Sequence, residues 1–223
     1  EAGVNHNGDL SMAERLVDAA AEAGVDAIKF QTFKAERLLT AHASKAEYQL
    51  AVTSPTESQL DMLRRLELSP EAHTRLRDYT SRKGLVFLSS PFDEESADFL
   101  HGLGVPLFKI ASGELTNLPF LEHVARKGKP MIVSTGMAFL REVEEALNAV
   151  RKAGGTEVVL LHCTSDYPAN PSDCNLRAMV HMRETFNVPV GYSDHTAGLC
   201  VAVAAVALGA TVMGLNVARS TIA

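Results

Sequence analysis

Disulfide chemistry, basic surface and long apolar runs are all scarce in this sequence of 223 residues. Its cysteines, Cys163, Cys174 and Cys200, are odd in number and show no CxxC spacing. That argues against a disulfide framework and for reduced thiols, as expected of a cytosolic protein. Lys and Arg number 21 against 27 Asp and Glu, a formal net charge of −6. A surface of that sign suits neither nucleic acid nor an anionic membrane. The longest run of small apolar residues, Val201 to Ala207, is too short to span a bilayer. Walker and Rossmann fingerprints are missing as well. Asn170-Pro171-Ser172 has Pro in the middle and is no glycosylation acceptor.

What is present is a core-forming composition, 46% apolar, and a repeated strand–loop–helix pattern. Ser11 to Glu14 has the spacing of a capping box, and Gly24 is a helix stop. Met12, Leu16, Ala19, Ala20 and Ala23 would form the apolar face between them. Strands are expected at Asp26 to Phe33, Leu85 to Ser89, Leu107 to Ala111, Met131 to Ser134, Glu157 to Cys163, Pro189 to Tyr192 and Ala210 to Met213. Helices are expected over Ser69 to Lys83, Asn117 to Lys127, Leu140 to Ala153 and Leu176 to Phe186, with an Ala/Val-rich helix after His195. With a stub at Glu1-Ala2-Gly3, the pattern gives eight strands alternating with helices. That points to a TIM (β/α)8 barrel over an open doubly wound sheet. The sequence opens on the end of a strand and stops soon after the last one, so the expected barrel is incomplete at both ends. A long connection from about Lys34 to Pro55 carries Lys45, Glu47, Tyr48 and Gln49 and is read as a binding loop, with a solvated loop as the default.

Polar groups cluster at the strand ends, where such folds build their sites. Residues two apart on a strand share a face, so Lys29 and Gln31 would point inward while Ile28 and Phe30 meet the helices. Lys109, between Phe108 and Ile110, is placed in the same way. Two inward lysines repel unless an anion lies between them, or unless they pair with Glu1, Glu114 or Asp194. Ser89, Ser90, Ser112, Ser134, Thr135, Thr164, Ser165, Ser193 and Thr196 surround them with hydroxyls. Backbone N–H groups at Ser112-Gly113 and Thr135-Gly136 are candidate donors to phosphate oxygens. Together these favour an anion site. His6, His162 and His195 are candidate ligands, but one His alone gives weak metal affinity. Cys163 and His162 fall on opposite pleat faces, which argues against a nucleophile pair.

Ordered motifs carry a resemblance. They are Glu1-Ala2-Gly3-Val4-Asn5-His6-Asn7-Gly8, Lys29-Phe30-Gln31-Thr32-Phe33, Ser89-Ser90-Pro91-Phe92-Asp93 and Lys109-Ile110-Ala111-Ser112-Gly113-Glu114. Ser134-Thr135-Gly136-Met137, Leu161 through Pro168, and Gly191-Tyr192-Ser193-Asp194-His195-Thr196 follow. Together they closely resemble the sialic acid synthase family, which includes N-acetylneuraminate, legionaminate and pseudaminate synthases. The resemblance implies a TIM barrel that condenses phosphoenolpyruvate with a 2-acetamido sugar such as N-acetylmannosamine and releases phosphate. It implies a divalent metal, Mn2+ or else Mg2+, acting as Lewis acid on the sugar aldehyde. It also implies a small C-terminal antifreeze-like domain and a homodimer in full-length members.

Carried over motif by motif, the resemblance assigns phosphoenolpyruvate to Lys29, Ser90, Lys109, Ser112, Ser134 and Ser193. It assigns the sugar to Gln31, Glu114 and Tyr167, with Ser165 or Asp166 nearby. His195 becomes a metal ligand, and Glu1 the base or water-orienting carboxylate. Lys29 and Lys109 would stabilise charge on the departing phosphate. The pattern breaks on the last strand, where Gly214 stands at the family's Glu position and Asn216 at its second metal His. The antifreeze-like domain is missing from the sequence. Two alternatives therefore stay open here. One is a non-catalytic or truncated barrel that retains phosphoenolpyruvate binding. The other is a barrel acting on a phosphorylated sugar, which the lack of a second basic cluster disfavours.

Overall fold

The computed structural model describes residues 1–39, 43 and 57–216. Lys45, Glu47, Tyr48 and Gln49 of the proposed binding loop, like Val217 and Ala218, lie outside the described residues. The chain divides into two compact units, one containing Glu1–Val105 and the other Pro106–Asn216.

In the first unit, helix α1 (Leu10–Glu22) precedes strand β1 (Ala27–Thr32). Short helices α2 (Ala35–Leu38) and α3 (Gln59–Arg64) and the longer α4 (Pro70–Arg82) lead to β2 (Val86–Pro91) and α5 (Glu94–Leu103). The capping-box expectation for α1 is wrong by two residues. Asp9 is the cap, accepting the Met12 N–H at 3.0 Å, so Ser11 lies inside the helix. Its buried residues are Ala13, Leu16, Val17 and Ala20, so Met12, Ala19 and Ala23 of the expected face are less buried. The α4 start follows expectation, with Ser69 capping and Pro70 in the first turn, where its missing N–H costs nothing. Strands β1 and β2 are parallel, with Lys29 opposite Leu88 and Gln31 opposite Ser90. The expected stub strand at Glu1 to Gly3 is reduced to one bridge between Gly3 and Phe30.

The second unit is a five-stranded parallel sheet in sequential order: β3 (Phe108–Ile110), β4 (Met131–Ser134), β5 (Val158–Cys163), β6 (Val190–Asp194) and β7 (Met213–Leu215). Helices α6 (Leu118–Ala125), α7 (Leu140–Lys152), α8 (Arg177–Phe186) and α9 (Cys200–Ala207) alternate with the strands. Strand–helix alternation with parallel pairing is the pattern expected of the fold class. The β6 boundaries correct the expectation of a strand ending near Tyr192. Ser193 and Asp194 are themselves strand residues, so His195 sits directly at the strand end. The last strand starts at Met213 rather than ending there. Thr211 instead donates its N–H to the Val190 carbonyl at 2.8 Å as the chain approaches β6.

That approach depends on Gly191. A Cβ there would lie 2.1 Å from the Val212 carbonyl oxygen and 2.6 Å from Leu161 Cδ2. Only glycine lets the strands come this close. Beside it Tyr192 is fully buried. Burial of a ring this size stabilises by roughly 2 kcal/mol or more.

Candidate functional site

Register decides which side chains can meet. In the second unit Lys109 lies opposite Ile132, Ser134 opposite Leu161, and Cys163 opposite Ser193. Alternation along each strand then puts Lys109, Ser134, Cys163 and Ser193 on one face of the sheet. Phe108, Ile110, Val133, Leu160, His162 and Tyr192 occupy the other. In the first unit Lys29, Gln31 and Ser90 share a face in the same way. The expected alternation is therefore present in both units, although each unit stands on its own register.

Lys109 is 7% exposed, and its ammonium donates to Ser134 Oγ at 2.6 Å and to the Ile110 carbonyl at 2.8 Å. Both acceptors are neutral oxygens, so these two bonds leave the lysine charge in place. Close by, at the end of β3, the 3-10 turn Ser112–Glu114 presents Ser112. Ser112 Oγ accepts the Gly136 N–H at 3.0 Å and lies 3.1 Å from Cys163 Sγ. The packing there is tight. A Cβ on Gly136 would lie 2.4 Å from Ser165 Oγ and 2.9 Å from both Cys163 Sγ and Ser112 Oγ. The strand ends of β3, β4 and β5 thus converge on one glycine.

Two of the expected backbone donors are otherwise engaged. The Thr135 N–H donates to the Leu161 carbonyl, and the Gly136 N–H to Ser112. Internal hydrogen bonding of the loop takes these groups, which leaves the side chains of Lys109, Ser112 and Ser134 as the candidate donors at these strand ends. Glu114 accepts from Asn117 Nδ2 at 2.9 Å, which fixes its carboxylate beside the same turn.

His195 is held on three sides. Its Nδ1 lies 2.6 Å from the Thr164 carbonyl, its Nε2 lies 3.3 Å from Ser193 Oγ, and Tyr167 stacks on its ring. A carbonyl only accepts, so Nδ1 carries the proton and Nε2 keeps its lone pair. That is the tautomer a metal ligand needs. Asp194 accepts the N–H and the hydroxyl of Thr196 and so shapes the turn that follows. Ser165, Asp166 and Tyr167 are exposed after β5. Asp166 accepts the Tyr167 N–H at 3.0 Å.

The metal fits only in part. Among the described residues no group of three His, Cys, Asp or Glu side chains is gathered to hold an ion. Asn216 is exposed just after β7. His195 has the tautomer of a ligand, but among the described residues no complete protein donor set stands around it.

In the first unit, the Lys29 ammonium pairs with the Glu1 carboxylate, and both are largely buried. The alternative of ion pairing weighed for Lys29 is thus realised, and Glu1 is fixed next to a cation. Behind this face Thr32 Oγ1 bridges Ser89 Oγ at 2.7 Å and His73 Nε2 at 2.8 Å. Burial pushes the His73 imidazole below its ordinary pKa and keeps it neutral. Sequence reasoning did not single out His73, because a His on an amphipathic helix carries no pattern of its own. Gly136 was noticed only for its N–H. Cys163 was weighed only against His162, yet its register partner Ser193 already signalled which face it joins. His162 indeed faces the other way, its ring 5.7 Å from Tyr192 and its Nε2 2.7 Å from the Cys174 carbonyl.

Comparison with known proteins gives the family. The NeuB family pattern matches residues 16–215. The chain belongs to the NeuB family, that of the sialic acid synthases. The N,N'-diacetyllegionaminic acid synthase of Campylobacter jejuni is 51% identical over 215 residues, covering 96% of this chain and 64% of that protein. The enzyme of the same name from Legionella pneumophila is also 51% identical, covering 96% of this chain and 61% of that protein. This chain therefore spans somewhat under two thirds of the length of these relatives. Among solved structures, an N-acetylneuraminic acid synthetase from Leptospira borgpetersenii, in complex with citrate, superposes with a TM-score of 0.85. It is 33% identical, and the match covers 96% of this chain and 70% of that one. Among the described residues no helix is long and apolar enough to cross a membrane.

Proposed function

We propose that this protein condenses phosphoenolpyruvate with an N-acetylated amino sugar to a nine-carbon sialic-type acid and releases phosphate. The observation that carries the reading is the Lys109–Ser134 pair with Ser112 beside Gly136: a buried cation and two hydroxyls on the strand ends of one sheet. Such a cluster suits a ligand bearing carboxylate and phosphate oxygens. The relatives supply the sugar. Two of them are named for a product with two N-acetyl groups, so acceptors with one or two acetamido groups are the substrates to test.

In this reading C3 of the enol forms a bond to the aldehyde carbon of the open-chain sugar. Water adds at C2, and the C2–O bond breaks to release phosphate. Lys109 and Lys29 stabilise charge on the departing group. Ser90, Ser112, Ser134 and Ser193 orient phosphoenolpyruvate. Gln31, Glu114 and Tyr167, with Ser165 or Asp166, meet the sugar. Glu1 orients the attacking water or takes its proton, with its carboxylate held beside the Lys29 ammonium. In this reading the reaction belongs to the cytoplasm and to a TIM-barrel fold, with a homodimer expected of full-length members.

His195 is proposed as one ligand of a divalent ion, manganese or magnesium. An ion held there would act as a Lewis acid on the sugar aldehyde. Titration with manganese alone tests the assignment, with His195→Ala as control. The reaction itself is tested by phosphate release from phosphoenolpyruvate with N-acetylmannosamine or a diacetamido sugar, in the presence of manganese. Release that requires both substrates supports the synthase. Saturable phosphoenolpyruvate binding without turnover would support a non-catalytic barrel instead, and activity restored by Asn216→His would locate the defect on the last strand.

A further inference from the structure

We infer that Cys163 is a positioning residue for phosphoenolpyruvate, acting by fixing the direction in which Ser112 donates its hydroxyl hydrogen. The inference rests on the synthase reading above and deepens it.

A serine hydroxyl has one hydrogen to give and two lone pairs to receive. One lone pair of Ser112 Oγ takes the Gly136 N–H at 3.0 Å. The Cys163 sulfur sits 3.1 Å from the same oxygen. Cys163 is 5% exposed, and a thiol hydrogen turned onto Ser112 finds a strong acceptor there. Ser112 is only partly buried, so its own hydrogen has an open side to turn toward. With the thiol as donor both lone pairs are occupied, and Ser112 can offer a ligand only a donor. A hydroxyl so constrained favours an anionic oxygen and has nothing left to offer a ligand's donor. Without Cys163 the second lone pair is free and the hydroxyl can rotate.

The site is built closely enough for the contact to be specific. Cys163 Sγ and Ser112 Oγ both lie 2.9 Å from where a Gly136 Cβ would stand, so glycine is what lets the three groups meet. Ser134 on the neighbouring strand is treated alike: it receives the Lys109 ammonium and keeps its hydrogen for a ligand. Two hydroxyls are thus set as donors by different means, one by a lysine and one by a thiol with a backbone amide.

The test is the dissociation constant for phosphoenolpyruvate by calorimetry, in Cys163→Ala, Cys163→Ser, Ser112→Ala and the double variant Cys163→Ala/Ser112→Ala. Cys163→Ala should weaken binding about fivefold, the worth of one modest hydrogen bond. Cys163→Ser, which still has a hydrogen to donate, should recover most of that loss. In the Ser112→Ala background Cys163→Ala should add nothing, because its effect passes through Ser112. A Cys163→Ala protein that binds as the parent does, or a loss of the same size with and without Ser112, overturns the inference while the synthase reading stands. A parent protein that does not bind phosphoenolpyruvate, or binds it undiminished after Lys109→Ala, overturns the synthase reading and this inference with it.

Discussion

Tyr167 lies nearly flat on His195, with ring centroids 4.2 Å apart and planes inclined by 28°. The Thr164 carbonyl holds the edge of the same imidazole. Stack and carbonyl together fix both the tautomer and the ring plane. An aromatic contact of this kind stabilises by about 1 kcal/mol. Tyr167→Phe, which keeps the stack, should retain most phosphate-releasing activity. Tyr167→Ala should lower kcat/KM about tenfold by releasing the ring and removing a sugar contact. Equal rates for Tyr167→Ala and the parent would show that the stack has no part in the site.

Lys109 can be separated from the fold. Lys109→Met keeps the side chain's length and removes its charge and its hydrogen bonds to two neutral oxygens, a loss of about 1–3 kcal/mol. The variant should therefore melt a few degrees below the parent, yet lose phosphoenolpyruvate affinity by roughly a hundredfold or more as a buried charge-assisted contact disappears. Calorimetry and a thermal melt on one sample check both halves. A variant that loses binding only because it unfolds would not support an anion site.

Gly136→Ala should fail on both counts. The added carbon would stand 2.4 Å from Ser165 Oγ, which must move, and 2.9 Å from two further site atoms. Overpacking of this kind costs about 1–3 kcal/mol. A melting temperature lowered by several degrees, with weakened phosphoenolpyruvate binding, is the expected outcome. Gly113→Ala on the neighbouring turn has open space and serves as the control.

His6 gives the fold a pH dependence. Its Nδ1 accepts the Gly8 N–H at 2.9 Å, so the proton of the neutral ring sits on Nε2, which is buried without a partner among the described residues. Burial first, and His73 nearby second, push its pKa down to about 4. An unfolded His takes up its proton near 6.5, so between those values the unfolded chain binds more protons than the folded one. Stability is then fully present above about pH 6.5 and falls as the pH drops toward 4, by roughly 3 kcal/mol for His6 at the low end. Burial lowers His73 and His162 in the same direction. His6→Asn keeps an acceptor for Gly8 and should flatten the curve. Urea midpoints at pH 7 and pH 4.5 for parent and variant measure the difference.

Much of this was legible in the sequence because the strand period is simple. Lys29 with Gln31, and Lys109 between two apolar neighbours, announced their faces before any coordinates. The chain ends of the elements were harder. The α1 cap fell on Asp9 rather than Ser11 because both are good caps, and local pattern does not choose between them. Ser193 and Asp194 were read as loop because polar residues seldom continue a strand, yet pairing with Cys163 and Leu215 holds them in one. The links Thr32–His73 and Ser112–Cys163 join residues 41 and 51 positions apart, a distance at which local pattern carries no information.

The alternation of Ser89 with Ser90, His162 with Cys163, and Tyr192 with Ser193 has an outcome for genetics. In a saturation scan read out by survival, neighbouring positions should both look intolerant. Scored separately for abundance and for turnover, they should split: Ser89, His162 and Tyr192 should lower the amount of protein, while Ser90, Cys163 and Ser193 should leave the amount and lower the rate. The pleat would then appear as a two-residue rhythm of phenotypes along the chain.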